Sequence, residues 1–446
     1  MCCCSRTYGG DGAHPSQSVI VPAVFGKNRD KLGVLASVID RSRRLSSYGM
    51  RLCGAVAAIT LPLQAVAQLT GTAAATVQYE NNSNVFDLNS GFGAPVTGTT
   101  RRSDSYYSYG AQFTASYPWR RQEFYATVSA TDYKYQHFSE LNHTSYNFEG
   151  GWNWRLAEAF DGKLDVVRTR NMVPFYNLTG STFSTTLSLL TEQRETAQIN
   201  YTLNSRWRLE GMAYTSKSEQ PVVNSPDLQL TQNAGTVDLD YLGLGWITSG
   251  LTGTYLKGHY EGSITTDNPT FTETRFGFLA KYKRTRSTLN GQFGYSHRTS
   301  DNNRDSTSGL TGLLEFTDQL TPRTTVTAKA ERVINSYVFN AGSEIDSNLS
   351  GSVAWQATYK SAFTAGYTFS YRDFPGQGNN PIGSRRVDIQ EYVTFGINYQ
   401  PWRWLLVRPY YNAQTRRSTF IGGHFSANIY GVSVTLQTPD EKRRPR

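Results

Sequence analysis

From Arg385 to Tyr399 apolar and polar positions alternate with a period of two. Val387, Ile389, Val393, Phe395, Ile397 and Tyr399 fall on one parity, and Arg386, Asp388, Gln390, Thr394 and Asn398 on the other. That period belongs to an amphipathic β-strand, one face oily and one wet. Gln400-Pro401-Trp402-Arg403 predicts a tight reversal, since proline fixes φ and donates no ladder hydrogen bond. A second strand is expected from Trp404 to about Arg416 and, after a polar loop, a third over His424 to Gln437. The unit of strand, short turn, strand and longer loop is that of a transmembrane β-barrel.

The same rhythm recurs along the chain. Thr72 to Asp87 reads as a first strand, and Ser105 to Tyr117 alternates through Tyr107, Tyr109, Ala111, Phe113, Ala115 and Tyr117. Further strands are expected near 122–137, 142–156, 162–172, 194–204, 206–218, 232–247, 251–262, 271–283, 287–299, 306–318, 323–336, 345–360 and 362–374. With the final three this predicts an all-β fold, a closed antiparallel barrel of about eighteen strands, with sixteen the main alternative. Short connections (Asn204-Ser205, Ser249-Gly250, Lys360-Ser361, Pro401-Trp402) alternate with longer ones (88–103, 173–193, 219–231, 374–384). Short periplasmic turns, long external loops and an even strand number are the habit of outer-membrane barrels. A soluble sandwich array would bury both strand faces and leave this loop asymmetry unexplained.

Composition fits a barrel better than a helical membrane protein. Hydrophobic residues make up 38% of the chain and aromatic residues 13%, the balance expected when half of each strand meets lipid and half meets water. Met50 to Ala67 has a basic start, an apolar run and Ala65-Val66-Ala67 before Gln68, the pattern of a secretory signal peptide cut after Ala67. Residues 1–49 lack periodicity and read as a mis-assigned or unstructured extension, 68–437 as the barrel, and 438–446 as a charged periplasmic tail. Cys2, Cys3, Cys4 and Cys53 all precede the expected cut, which removes disulfide, thiol and cysteine-metal chemistry from the mature chain. Eight of the 44 basic and three of the 35 acidic residues also precede it, so the net charge falls from +9 to +4 and a nucleic-acid partner loses its support.

Three segments carry a family resemblance: Tyr79 to Phe86 (YENNSNVF), Tyr133 to Leu164 (YKYQHFSELNHTSYNFEGGWNWRLAEAFDGKL), and Arg385 to Gln437 with its QPWRWLLVRPYY core. The chain resembles the outer-membrane β-barrel porin family associated with exopolysaccharide operons, the EpsL-like proteins. The resemblance implies an outer-membrane location and a role in synthesis or export of an extracellular polysaccharide. The implied partners are outer-membrane lipid, the barrel-assembly machinery, polysaccharide and other export components. Gly431-x-x-Val434-x-Leu436 is similar to a barrel-assembly signal, although Thr438 to Arg446 follows it.

If the apolar parity marks lipid, the other lines the lumen. The lumen-lining residues expected on this basis are Arg206, Arg208, Glu210, Glu273, Arg275, Lys281, Lys283, Lys329, Glu331, Arg386, Asp388 and Arg408. Basic groups outnumber acidic ones among them, which predicts a mild anion preference; pairing of the charges into a plug is the competing reading. Trp404 and Tyr410 are the candidates for stacking on sugar rings. Glu391 falls on the oily parity, for which a bulge or shifted register is the expected reason. His137, His143, His259, His297 and His424 lie toward the external strand ends, but no H-x-x-x-H or G-x-S-x-G spacing occurs. No cofactor, metal or enzymatic activity is therefore expected. The alternatives are a closed barrel that binds a ligand through its external loops and, less favoured, a rim-active hydrolase.

Overall fold

The computed structural model describes residues 69–89, 101–177, 186–221, 228–243, 245–262, 270–301, 306–337, 342–375, 385–420 and 422–439. The expected signal peptide, the N-terminal extension and the tail beyond Pro439 lie outside them. Eighteen antiparallel strands form one sheet. In chain order they are β1 (Thr70–Asn82), β2 (Asp104–Trp119), β3 (Gln122–Tyr135), β4 (His143–Arg155), β5 (Phe160–Met172), β6 (Leu189–Thr202), β7 (Trp207–Gln220), β8 (Leu228–Tyr241) and β9 (Ile247–Glu261). They continue as β10 (Thr270–Lys283), β11 (Ser287–Ser300), β12 (Thr307–Thr321), β13 (Thr324–Tyr337), β14 (Gly342–Gln356), β15 (Ser361–Phe374), β16 (Arg386–Trp402), β17 (Leu405–Ser418) and β18 (Phe425–Gln437). Each strand pairs with its sequence neighbours, and β1 pairs with β18 from Ala74↔Gln437 to Asn82↔Ile429, which closes the barrel.

Parity follows from exposure and from contacts that cross the interior. On β10, Phe276 and Phe278 are 75% and 49% exposed, whereas Glu273 and Leu279 are 4% and 2%. Gln232 on β8 donates to Ser336 on β13 at 3.0 Å, and the Tyr260 hydroxyl on β9 donates to the Gly342 carbonyl on β14 at 2.8 Å. Strands so far apart in the ring meet only through the lumen.

The two ends differ. All eight tryptophans (Trp119, Trp152, Trp154, Trp207, Trp246, Trp355, Trp402, Trp404) sit at the end with the short turns. Several are paired with another ring there, as in Trp207–Tyr241 at 5.0 Å and Trp355–Phe363 at 5.6 Å. Indoles collect where apolar chain meets headgroup, so this is the periplasmic girdle. Above it the outward face is apolar and then passes to Tyr107, Tyr109, Tyr255, Tyr295, Tyr367 and Tyr430. A closed barrel with an oily belt and aromatic rims is an outer-membrane barrel, because a lipid environment offers no partners to an open sheet edge.

The structure corrects four sequence expectations. The first strand stops at Asn82, and Ser83 to Leu88 turns inward, with Asp87 at φ 53°. The turn expected at Ser249-Gly250 lies at 242–246, where Gly245 takes φ 70°; Ser249 and Gly250 are laddered to Tyr241 and Asp240. The reversal expected at Pro401-Trp402 is made by Arg403-Trp404, after a register shift between Tyr399 and Trp402. Glu391 keeps unbroken register with Phe369 and Thr415, so neither a bulge nor a slip explains it. It faces outward and is held there by Tyr367 (3.2 Å), Thr415 (3.2 Å) and Arg417 (3.3 Å) near the external rim.

This parity predicts that Phe278→Arg lowers barrel stability by about 2–4 kcal/mol, as for arginine near the bilayer midplane, while Lys281→Gln costs far less. Urea midpoints and heat-modifiable gel mobility measure both; equal effects would mean the faces are reversed.

Candidate functional site: the lumen and its external mouth

The register sets most of the expected lining residues on the inward parity: Arg208 and Glu210 on β7, Glu273, Arg275 and Lys281 on β10, Lys329 and Glu331 on β13, Arg386 and Asp388 on β16, Arg408 and Tyr410 on β17. The other three lie at the periplasmic end. Arg206 is exposed in the turn before β7, and Lys283, the last residue of β10, keeps the inward parity of Lys281 but is exposed. Trp404 lies in the β16–β17 turn, exposed and stacked on Trp402 at 5.4 Å between centroids. It lies beyond the end of β17, whose register with β18 is unbroken from Leu405, so Trp404 joins the girdle in the turn and does not face the lumen.

Many of the inward charges are paired, although Arg408 forms no ion pair among the described residues and its Nε is buried without a hydrogen-bond partner. Arg208 meets Glu210 at 2.6 Å and Asp240 at 2.7 Å, and Lys281 meets Asp240 at 3.3 Å. Arg275 meets Glu273 at 2.8 Å, and Lys329 meets Glu331 at 2.9 Å. Asp238, Asp240, Asp161, Asp165, Glu192, Glu315 and Asp346 share the inward parity but were not among the sequence candidates. With these included, carboxylates at least match the cations, and the expected anion preference does not follow from the lining.

Near the external end of β1, Glu80 is the centre of a tyrosine cluster. Tyr410 donates its hydroxyl to Glu80, and the Gln78 amide donates to the Tyr410 oxygen at 2.7 Å and to Glu80 at 3.3 Å. Tyr106 packs on Tyr133 and Tyr135 at 5.5 and 5.1 Å, and Tyr133 stacks on His143 at 4.7 Å with an 11° interplanar angle. Apart from Tyr410, these tyrosines were not singled out from sequence. They were legible as the aromatic residues on the parity opposite to Tyr107 and Tyr109.

Above them the mouth is narrowed from two sides. The segment after β1 and the one after β5 fold inward, and Val85, Phe86, Leu88, Phe138, Leu141 and Phe175 form one buried cluster. Phe86 lies 4.7 Å from Phe138 and 5.1 Å from Phe175 between ring centroids. Asn84 ties the first segment down by donating to the Leu88 carbonyl (2.9 Å) and the Ser426 carbonyl (3.1 Å). Arg416 holds the second: it donates to the Tyr176 carbonyl at 3.2 Å and to Asp388 at 2.7 Å, with Arg386 on the same carboxylate at 2.9 Å. Arg386 also lies over the Phe374 ring at 4.3 Å. Two guanidiniums on one buried carboxylate avoid the cost of an unpaired charge. On the other wall Arg298, fully buried, covers the Phe271 ring at 3.5 Å and donates to Ser336 and Tyr260.

Two histidines lie beside a carboxylate, His137 beside Asp104 and His259 with Nε2 3.8 Å from Glu261. His137 Nδ1 is 2.9 Å from Asp104, but that carboxylate also accepts the backbone N–H groups of Ser105, His137 and Phe138, which makes it a clamp on the turn after β3. The other ring nitrogen of His137 faces Arg101 at 2.9 Å, so no hydroxyl occupies the position of a nucleophile. His424 accepts the Ser418 backbone N–H, and His259 contacts Thr270. Among the described residues no group of His, Cys, Asp and Glu is arranged to hold a metal ion.

Asp87, in the inward-folded segment, has its carboxyl pushed up to about 8 by burial, with Arg416 pulling the other way. A raised value means that the neutral form favours the folded-in segment. That contribution is complete below the ordinary value of 3.8 and is lost as pH rises through about 8. Single-channel conductance should therefore rise between neutral and alkaline pH, and Asp87→Asn should remove the step. A step that survives Asp87→Asn would place the titrating group elsewhere.

No family model matches the chain, and no curated protein matches it. Solved structures to which it is similar include the outer membrane protein OpdK of Pseudomonas aeruginosa (10% identity, 83% of this chain and 99% of that one, TM-score 0.44). Acinetobacter baumannii OccAB3 shares 11% identity over 84% of this chain and 100% of that one, with a TM-score of 0.43. The siderophore receptor PirA of Pseudomonas aeruginosa shares 10% over 82% and 80%, with a TM-score of 0.42. Likeness at this level speaks to neither substrate nor activity; the closed strand register is what defines the barrel.

Proposed function

We propose that this barrel provides a polar, sugar-compatible passage across the outer membrane in exopolysaccharide export and that it is not an enzyme. The observation that carries the reading is the inward column of Tyr410, Tyr106, Tyr133 and Tyr135 beside Glu80 and the paired charges of β7, β8 and β10. Sugars present apolar ring faces and a rim of hydroxyls, and they need flat aromatic faces next to hydrogen-bonding groups. The resemblance of YENNSNVF and QPWRWLLVRPYY to the exopolysaccharide-associated porins supports the polymer as cargo. The same lumen recognises short glycans by their hydroxyls and ring faces more than by cargo charge, since many of its own charges are paired.

A closed barrel that binds its ligand at the external loops is the second reading, favoured by the Phe86–Phe138–Phe175 cluster in the mouth. Planar-bilayer recordings separate the two. The passage reading predicts conductance that purified exopolysaccharide fragments block, with block weakened about tenfold by Tyr410→Ala together with Tyr106→Ala, an order set by the loss of one or two aromatic contacts. Absence of conductance with the mouth segments deleted would contradict it.

We further propose that the mature chain begins at Gln68 and that Met50 to Ala67 is removed on export, on the strength of Ala65-Val66-Ala67. N-terminal sequencing of the protein from outer-membrane fractions should read Gln-Leu-Thr-Gly; a start within residues 1–49 would overturn the assignment.

A further inference from the structure

We propose that Arg168 and Arg170, on the outer face of β5, form a binding site for a phosphate-bearing glycolipid of the outer leaflet. Their orientation comes from the register. Arg168 is opposite Phe148 and Gln193, and Arg170 is opposite Tyr146 and Thr191. Phe148 and, on the same parity of β5, Leu164 are exposed on the lipid side.

Depth follows from strand geometry. For strands tilted by about 40° each residue climbs about 2.5 Å along the membrane normal, which sets these two arginines roughly 20–25 Å above the periplasmic end of β5. The apolar belt of such barrels is about 25 Å tall, so the guanidiniums reach the external headgroup level. Side chains two apart on one strand are separated by about 7 Å, a spacing that lets both address one phosphorylated headgroup.

This pair sets two cations side by side on one strand with no counter-charge. Several outward cations at the same level have one: Lys134 meets Asp132 at 3.0 Å, Lys217 meets Glu219, and Arg417 meets Glu391 at 3.3 Å; Lys257 and Arg332, which form no ion pair among the described residues, stand singly on their strands. Glu195, the nearby acid on β6, accepts from Gln193 at 2.9 Å. Among the described residues, neither Arg168 nor Arg170 has a carboxylate within ion-pair distance. Two unneutralised guanidiniums at a lipid interface call for an anion from the membrane itself. Phosphate meets them with charge-assisted, two-pronged hydrogen bonds, while Tyr146 and Phe148 offer flat apolar surface to the sugar and acyl parts of the same molecule. The site is on the outer wall and is independent of what crosses the lumen.

The test uses the full chain, purified and reconstituted into phosphatidylethanolamine vesicles. The vesicles carry bis-phosphorylated lipid A, the same glycolipid stripped of phosphate, or phosphatidylglycerol. Lipid retained per barrel after re-extraction in mild detergent is counted by mass spectrometry. The phosphorylated glycolipid should be retained about tenfold over both comparators, and Arg168→Gln with Arg170→Gln should abolish the excess. Lys217→Gln with Glu219→Gln should leave it unchanged. Equal retention of dephosphorylated glycolipid or of phosphatidylglycerol by the unaltered protein would overturn the proposal, and so would undiminished retention by the double arginine variant. Should that variant fail to show heat-modifiable mobility, the lipid comparison on the unaltered protein decides alone.

Discussion

Every backbone amide in a bilayer has to find its partner within the protein. That constraint accounts for the β1–β18 ladder, for the even strand number and for the absence of a free edge in the described sheet. It also accounts for the alternation of side chains, because a strand in a closed wall has one face in lipid and one in the lumen. A single-residue slip would send Glu273 and Lys281 to lipid and Phe276 and Phe278 inward, so the register is strongly fixed wherever both kinds of residue occur.

The interior follows from the same wall. Many inward charges neutralise one another in short-range sets such as Arg208–Asp240–Lys281 and Arg386–Asp388–Arg416. The wall is therefore charged residue by residue and nearly neutral by neighbourhood. On the proposed passage reading, selectivity would come from shape and hydrogen bonding, with the tyrosines around Glu80 and the segments folded into the mouth as its determinants. On the outer face near the rim Glu391 is likewise held, by Tyr367, Thr415 and Arg417.

Strand number, closure and parity were legible in the sequence because a two-residue period repeated through each strand leaves little freedom: strands such as β11 and β13 lie within a residue or two of the spans the alternation predicts. What was not legible depends on events between the strands. The inward fold of Ser83 to Leu88 carries a strand-like alternation, and only its tertiary contacts, Asn84 to Ser426 among them, show that it is a mouth segment. Trp404 shares the parity of Tyr410 but lies in the turn before β17 begins, where alternation no longer sets the direction of a side chain. Asp238 and Asp240 escaped notice for a different reason. They fall within the strand expected over 232–247, but alternation alone does not say which residues of the neighbouring strand they are opposite, and only the β7–β8 register sets them against Glu210 and Arg208.

The alternation itself is the central claim, and the cysteine distribution makes it directly measurable, because all four cysteines precede residue 54. With Cys53 and the three N-terminal cysteines replaced or removed by processing, single cysteines can be placed in turn at positions 274 to 281 of β10 and tagged with a fluorophore in reconstituted vesicles. Quenching by a lipid-confined nitroxide should be strong at 274, 276, 278 and 280 and weak at 275, 277, 279 and 281, with quenching by aqueous iodide following the opposite order. A uniform response along the segment, or a period near 3.6, would contradict the barrel.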